Sequence, residues 1–100
     1  MALRSFRGLL IQNEGDKPND GFDVVFPDFP GCVTHFDKLP TDPRPQAFDA
    51  LVLHIEGMVE DGHQIPQPSP RGFIPDWLEG QSVIAEFALG VEVPSERAAL

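Results

Sequence analysis

The sequence predicts a single α+β domain in which three strands are followed by one long helix and a fourth strand. The chain has 100 residues, a length that suits one domain with one compact core. Four segments are predicted as strands, and the last three of them alternate apolar and polar residues, as half-buried strands do. Between the third and fourth of these lies a segment with apolar residues at helical spacing. We therefore expect the order β-β-β-α-β within one domain over residues 1–100.

The strand segments are separated by links rich in glycine, proline and polar residues. We predict the first three strands over about 4–12, 22–26 and 32–37, and the fourth over about 82–89. A polar turn over 13–21 follows the first strand, and short links favour an antiparallel meander of the first three. The helix then carries the chain across one face of the sheet. A right-handed crossover would place the fourth strand parallel to a neighbour.

The long helix is predicted over about 43–61. Thr41 and Asp42 offer oxygens that can cap its first turn, and Gly62 supplies the stop. The apolar residues of this segment recur every three or four positions and form one stripe: Ala47, Phe48, Leu51, Val52, Ile55, Met58 and Val59. We expect this stripe to pack on one face of the sheet, because a helix with one apolar side buries that side.

One helix covers only one face of a sheet, yet apolar residues lie on both faces here. Alternation directs one set toward the helix: Phe22, Val24, Phe26, Phe36, Val83, Phe87 and Leu89. For the opposite face the first strand offers two alternatives: Leu9 with Ile11, or Phe6 with Leu10. Val25, Val33 and Ile84 also lie on that opposite face. A monomer would expose this apolar surface, so we expect a homo-oligomer, a dimer, built on it. In the alternative, segment 73–78 of the proline-rich connection 64–81 folds over the same face.

The charge pattern indicates the kind of partner. Sixteen acidic residues face seven basic ones, which gives a net charge of −9. Such a surface repels phosphate, so we expect no direct nucleic-acid binding by this chain, whereas a basic protein would be attracted to it. The helix side away from the apolar stripe carries Asp49, Leu53, Glu56 and Glu60. We take these four residues as the candidate partner-binding surface; a solvated helix face is the alternative.

No residue pattern indicates catalysis, a cofactor or a metal. Cys32 and the histidines His35, His54 and His63 show no ligand spacing such as H-x-x-x-H or C-x-x-C. The sequence also has no phosphate-binding glycine loop and no G-x-S-x-G motif. One cysteine excludes an internal disulfide, and the apolar run 9–11 is too short to cross a membrane. We therefore expect a cytoplasmic protein that is not an enzyme and needs no cofactor.

Two motifs carry a family resemblance. Residues 26–32 have the sequence FPDFPGC, and the predicted helix is followed by EDG at 60–62 and IPQPS at 65–69. This arrangement resembles the HicB antitoxins, whose pattern is F-P-D-L-P-G-C, a helix, and then E-D-G-x-x-I-P-x-P-S. The resemblance is close over residues 4–69 and extends loosely to residue 93.

The resemblance implies a partial ribonuclease-H-like fold and pairing with a HicA-like toxin, a small basic ribonuclease that the antitoxin blocks. A working ribonuclease H needs carboxylates that hold two Mg²⁺ ions, and the predicted first strand contains none. Many HicB proteins add a C-terminal DNA-binding module, whereas residues 94–100 are too few for one, so we expect no operator binding. We expect an antitoxin that binds and occludes such a toxin. The alternative is a stand-alone protein-binding or scaffold domain with a different partner.

Overall fold

The computed structural model of the protein describes residues 2–12 and 21–93. Along the chain these residues form β1 (Ala2–Gln12), β2 (Phe22–Val25), β3 (Val33–Phe36), α1 (Arg44–Glu60), a short 3-10 helix (Asp76–Leu78) and β4 (Ser82–Val93). The predicted α+β fold with the order β-β-β-α-β is confirmed. The turn predicted over 13–21, apart from its last residue, and the segment 94–100 lie outside the described residues.

The four strands form one antiparallel sheet in the order β3-β2-β1-β4. β1 pairs with β2 and β2 with β3, as predicted for the meander. β4 pairs antiparallel with β1, from Val93 opposite Ala2 to Ser82 opposite Gln12. The expectation of a parallel neighbour is therefore wrong. The chain leaves the sheet at the β3 edge and returns at the far edge, where its neighbour β1 runs in the opposite direction.

The ends of α1 follow from local sequence. The N-cap residue of α1 is Pro43, which makes no side-chain capping hydrogen bond, so the expectation that Thr41 or Asp42 caps the helix is wrong. The Asp42 carboxylate lies one residue earlier and accepts a hydrogen bond from the backbone N–H of Arg44 at 3.1 Å. Gly62 adopts a φ of 77°, which favours glycine. The backbone N–H of His63 donates to the carbonyl of Met58 at 2.8 Å, which completes a Schellman motif. The helix therefore stops where the sequence places a glycine.

The main core lies between α1 and one face of the sheet. Its buried residues come from the helix, the strands and the flanking loops: Phe6, Leu10, Val24, Phe26, Phe29, Cys32, Ala47, Leu51, Ile55, Ile65, Leu89, Val91 and Val93. Gly8 allows Phe87 to lie across β1, because a β-carbon at Gly8 would come within 2.6 Å of the Phe87 ring. Phe48 and Val59, at the borders of the predicted stripe, are exposed.

A β-bulge between β1 and β4 changes the face that Val83 takes. The register shifts between Leu10, which lies opposite Ala85, and Ile11, which lies opposite Val83. The sequence predicts that Val83 points toward the helix, but the inserted residue turns it to the face of Ile11, where it is exposed. That prediction is wrong because simple alternation assumes an uninterrupted register.

The second face of the sheet carries a smaller core. Four buried residues form it: Leu9, Ile11, Val25 and Leu78. Leu78 comes from the 3-10 helix, so the connection folds over this face. Val25, a candidate for the oligomer face, is consequently buried within the chain, whereas Val33 and Ile84 are 54% and 46% exposed. Self-association across this face stays a prediction.

Candidate partner-binding surface

The side of α1 that faces away from the sheet carries the candidate residues predicted from the sequence. All four are exposed there: Asp49, Leu53, Glu56 and Glu60. Leu53 is 70% exposed and takes little part in the core. An apolar side chain among carboxylates suits a basic protein partner, which would bury the leucine and pair with the acids.

A groove of about 690 Å³ lies between α1 and the loop that joins β2 to β3. We call it the loop groove. Asp28 and Pro30 contribute to its wall on the loop side, and Leu53, Gly57 and Asp61 contribute on the helix side. The groove therefore has carboxylates on both sides and apolar surface between them.

A second groove, of about 490 Å³, is also lined by Leu53 and Gly57 of α1. We call it the strand groove, because Glu92 of β4 contributes to it together with Glu56 and Glu60 of α1. Among the residues that the structure describes, no lysine or arginine lines either groove. Carboxylates therefore dominate the charge along both.

The two sequence motifs are joined by a hydrogen bond. The carboxylate of Asp28, in FPDFPGC, accepts the backbone N–H of Ser69, in IPQPS, at 3.0 Å. The Ser69 hydroxyl in turn accepts a hydrogen bond from Arg7 of β1 at 2.7 Å. Gly31, with a φ of 93°, closes the loop that carries Asp28. The motifs thus hold the loop, the connection and the sheet together.

Arg7 is a charged residue buried beneath the connection, with 7% of its side chain exposed. Its Nη1 donates to Glu86 Oε1 at 2.9 Å, and its Nη2 also donates to the carbonyl of Phe73 at 2.7 Å. Its Nε is buried without a hydrogen-bond partner among the described residues. The role of Arg7 is not among the sequence predictions, although a basic residue inside an apolar strand is a signal for it.

Cys32 and His54 belong to the packing of the core. The Cys32 thiol is buried and lies 3.7 Å from the carbonyl of Ala50, to which it donates, and burial raises the pKa of Cys32 to about 11. The His54 ring meets the Phe29 ring edge-on, with 5.8 Å between ring centres. A thiol with so high a pKa is a poor nucleophile at neutral pH.

His35 lies on the second face of the sheet, opposite Asp23 on the neighbouring strand. The hydrogen bond from His35 Nδ1 to Asp23, 2.7 Å long, raises the pKa of His35, and Asp37 adds to the effect. Within the described residues, no group of three or more histidine, cysteine or acidic side chains could hold a metal ion. No described helix has the length and apolar character needed to span a membrane.

Comparison with known proteins identifies relatives of the chain. Residues 9–88 match the family model described as HicB_like antitoxin of bacterial toxin-antitoxin system. Over 55 residues the chain is 42% identical to an uncharacterized 14.9 kDa protein in the rep-hol intergenic region of Haemophilus phage HP1 (strain HP1c1). The matched stretch makes up 55% of this chain and 41% of the phage protein, so the chain spans less than half of the length of that relative.

A solved structure shares the fold. A chain of the HicA3 and HicB3 toxin-antitoxin complex superposes with a TM-score of 0.56 at 23% sequence identity. The superposition covers 91% of this chain and 99% of that one. The sheet and its single long helix are therefore an arrangement found in a known toxin-antitoxin assembly.

Proposed function

Because the chain belongs to the family of HicB-like antitoxins of bacterial toxin-antitoxin systems, we propose that it binds and occludes a small basic ribonuclease toxin of the HicA kind. The observation that carries the proposal is the exposed acidic side of α1, with Leu53 among its carboxylates. The chain performs no chemistry in this mechanism. It acts in the cytoplasm, where a ribonuclease meets its RNA.

Electrostatic attraction and apolar contact have separate roles in this mechanism. The net charge of −9 attracts a basic toxin and steers its approach. Burial of Leu53 at the centre of the contact then slows dissociation, since exclusion of water from apolar surface strengthens an interface. The bound antitoxin blocks access of RNA to the toxin by its bulk.

The charge contribution is tested with the triple variant Asp49→Lys, Glu56→Lys and Glu60→Lys. We expect it to slow association with the purified toxin at least about tenfold at low salt, because steering depends on these charges. Stopped-flow or surface-based kinetics at two salt concentrations measure the effect, and inhibition of toxin ribonuclease activity gives the functional readout. An unchanged association rate would remove this side of α1 from consideration.

The control for that variant carries the same change in net charge elsewhere. Asp37, Asp76 and Glu79 are exposed and lie outside α1. Their replacement by lysine should slow association much less than the change on α1. A folded wild-type chain that leaves the ribonuclease activity of the toxin unchanged would contradict the proposed function itself.

Leu53→Asp tests the apolar contribution. We expect it mainly to raise the dissociation rate, because most affinity changes within one interface occur in that rate. Leu39→Asp is the matched control, since Leu39 is also an exposed leucine and lies outside α1. Equal dissociation rates for the two variants would count against a contact at Leu53.

We also propose that two copies of the chain associate through the second face of the sheet. Large apolar residues remain exposed on this face or on the connection that covers it: Val33, Phe73, Ile74, Trp77, Val83 and Ile84. Exposed apolar surface of this extent marks interaction sites. Because this face is opposite α1, a second copy would not compete with the toxin.

Sedimentation at micromolar concentration tests this association. We expect a dimer for the wild type and a monomer for Ile84→Lys, which would place a charge in the interface. Leu39→Lys, at an exposed leucine outside the sheet, should leave the dimer intact. A wild-type chain that sediments as a monomer would refute the dimer and leave toxin binding untouched.

The absence of catalysis is tested directly. The purified chain is incubated with RNA and Mg²⁺ or Mn²⁺, and we expect no cleavage. Cleavage that disappears on mutation of Asp49 or Glu56 would show that the chain is an enzyme.

A further inference from the structure

Gly57 lies within α1, where glycine is unfavourable, and the fold gives no reason for it. Glycine in a helix loses more conformational freedom on folding than alanine does. Gly57 is not among the glycines with positive φ, so its backbone conformation is open to any residue. A β-carbon built on it would meet no atom within 4 Å. Neither backbone geometry nor packing within the chain therefore requires glycine here.

The end of the helix does not require this glycine either. Gly62, later in the chain and with a φ of 77°, terminates α1. Glycines that a fold requires usually show a positive φ or a close neighbour, as Gly8 does beneath the Phe87 ring. Gly57 shows neither feature, so the reason for it lies outside the isolated chain.

The position of Gly57 relative to the two grooves indicates that reason. Gly57 lines the loop groove and the strand groove, and so does Leu53 one turn earlier in the helix. At Gly57 the surface between the grooves is bare backbone. Glycine at such a place permits the backbone of another molecule to approach closely.

We infer that a backbone segment of the toxin crosses α1 at Gly57 and places one basic side chain in each groove. Charge complementarity identifies the occupant as a basic protein segment. Asp28 and Asp61 line the loop groove, and Glu56, Glu60 and Glu92 line the strand groove. This inference rests on the proposed toxin binding and adds to it the place of closest approach and the chemistry on either side.

Gly57→Ala and Gly57→Leu test the inference. Gly57→Ala should make the fold more stable and the binding of the toxin weaker, and Gly57→Leu should weaken binding further. Gly57→Ala should raise the Tm by about 4 °C, since alanine favours the helix and has open space around it. The same variant should weaken toxin binding about fivefold, and Gly57→Leu should weaken it more than about a hundredfold, because the added atoms hold the two backbones apart. Calorimetric unfolding gives the first readout, and titration with a purified small basic toxin of the HicA kind gives the second.

Gln46→Leu is the matched control. Gln46 is exposed on the same helix and lines neither groove, so this variant should bind the toxin within about twofold of the wild type. Weakening as large as that of Gly57→Leu would overturn the inference, as would a lower Tm for Gly57→Ala. If the wild type and both Gly57 variants bind equally well, the inference is wrong and the proposed function stands. If the wild type binds no toxin, both are wrong.

Discussion

The two faces of the sheet are covered in different ways. On one face α1 packs its apolar side against the strands, with Leu51 fully buried in a continuous core. On the other face the connection folds back, held by Leu78 and by the hydrogen bonds of Arg7. The first face is closed mainly by apolar burial, whereas the cover of the second face is held in part by a buried charge.

The two faces are expected to support different properties: the helix face supports folding, and the border of the second face supports association. The helix face encloses the larger core, and the large apolar residues of the described strands on this face are buried or half-buried. The second face is covered at its centre and keeps apolar residues exposed around it, among them Val33 and Ile84. We therefore expect substitutions on the helix face to affect stability most strongly, and those at the border of the second face to affect association.

Truncation of one buried leucine on each face gives the largest contrast. Leu51→Ala should lower the free energy of unfolding by about 4 kcal/mol, since the helix and sheet around it cannot close the cavity. Leu78→Ala should cost about 2 kcal/mol, because the short 3-10 helix that carries it can move inward. Urea unfolding of both variants measures the difference. A larger cost at Leu78 would reverse the ranking of the two faces.

Two valines that lie opposite each other on neighbouring strands allow the same substitution to be compared at a buried and at an exposed position of the second face. Val25 lies opposite Val33 but is only 7% exposed because of Leu78. Val25→Lys should lower the free energy of unfolding by about 3 kcal/mol, since it buries an unpaired charge. Val33→Lys should change it by less than about 0.5 kcal/mol and should weaken the proposed dimer. Chemical unfolding and sedimentation of the two variants test this pair.

Replacement of the buried arginine tests how the connection is held. Arg7→Met should cost about 2 kcal/mol, because the Phe73 carbonyl and Glu86 lose their charged donor. Hydrogen exchange should accelerate over residues 66–81 and remain slow in α1. Arg71→Met is the control, since Arg71 is exposed and lies 3.6 Å from the same glutamate; it should leave exchange unchanged. Uniform acceleration along the chain would show that Arg7 supports the whole fold.

The smallest expected effect concerns His35 on the second face. Its pKa is raised above 6.5, first by the hydrogen bond with Asp23 and less by Asp37. Because the raised value belongs to the folded state, the pairing stabilises the fold fully below the unfolded pKa of about 6.5 and is lost as the pH rises through the folded pKa. NMR titration should show a lower His35 pKa in Asp23→Ala and a smaller decrease in Asp37→Ala. Equal shifts in both variants would contradict this order of causes.

The order of elements and the acidic side of α1 could be predicted because both depend on periodic patterns. The helical spacing of apolar residues also fixes which residues face away from them, such as Leu53 and Glu56. The direction of β4 could not be predicted in this way, since it depends on which sheet edge the chain reaches after α1. The exposure of Val83 depends on a bulge that leaves no mark on the alternation.

The cover of the second face by segment 73–78 could be predicted only as an alternative to self-association, and the residue that provides it could not be predicted. The connection has no period, so nothing singled out Leu78 as the residue that packs on the sheet. The hydrogen bonds among Arg7, Asp28 and Ser69 join residues far apart in the chain, and no local rule predicts such contacts. The grooves beside Gly57 are likewise a product of tertiary structure.

The pairing of β1 with β4 has a consequence for synthesis on the ribosome. β1 is made before the other three strands, yet its neighbour β4 is completed only at Val93, opposite Ala2. Until then the nascent chain can form the meander of β1, β2 and β3, but one edge of β1 keeps its N–H and C=O groups unpaired. Such an edge invites pairing with other chains. A translation product that ends before β4 would therefore be an aggregation-prone fragment, and the four-stranded sheet can form only after β4 has left the ribosome.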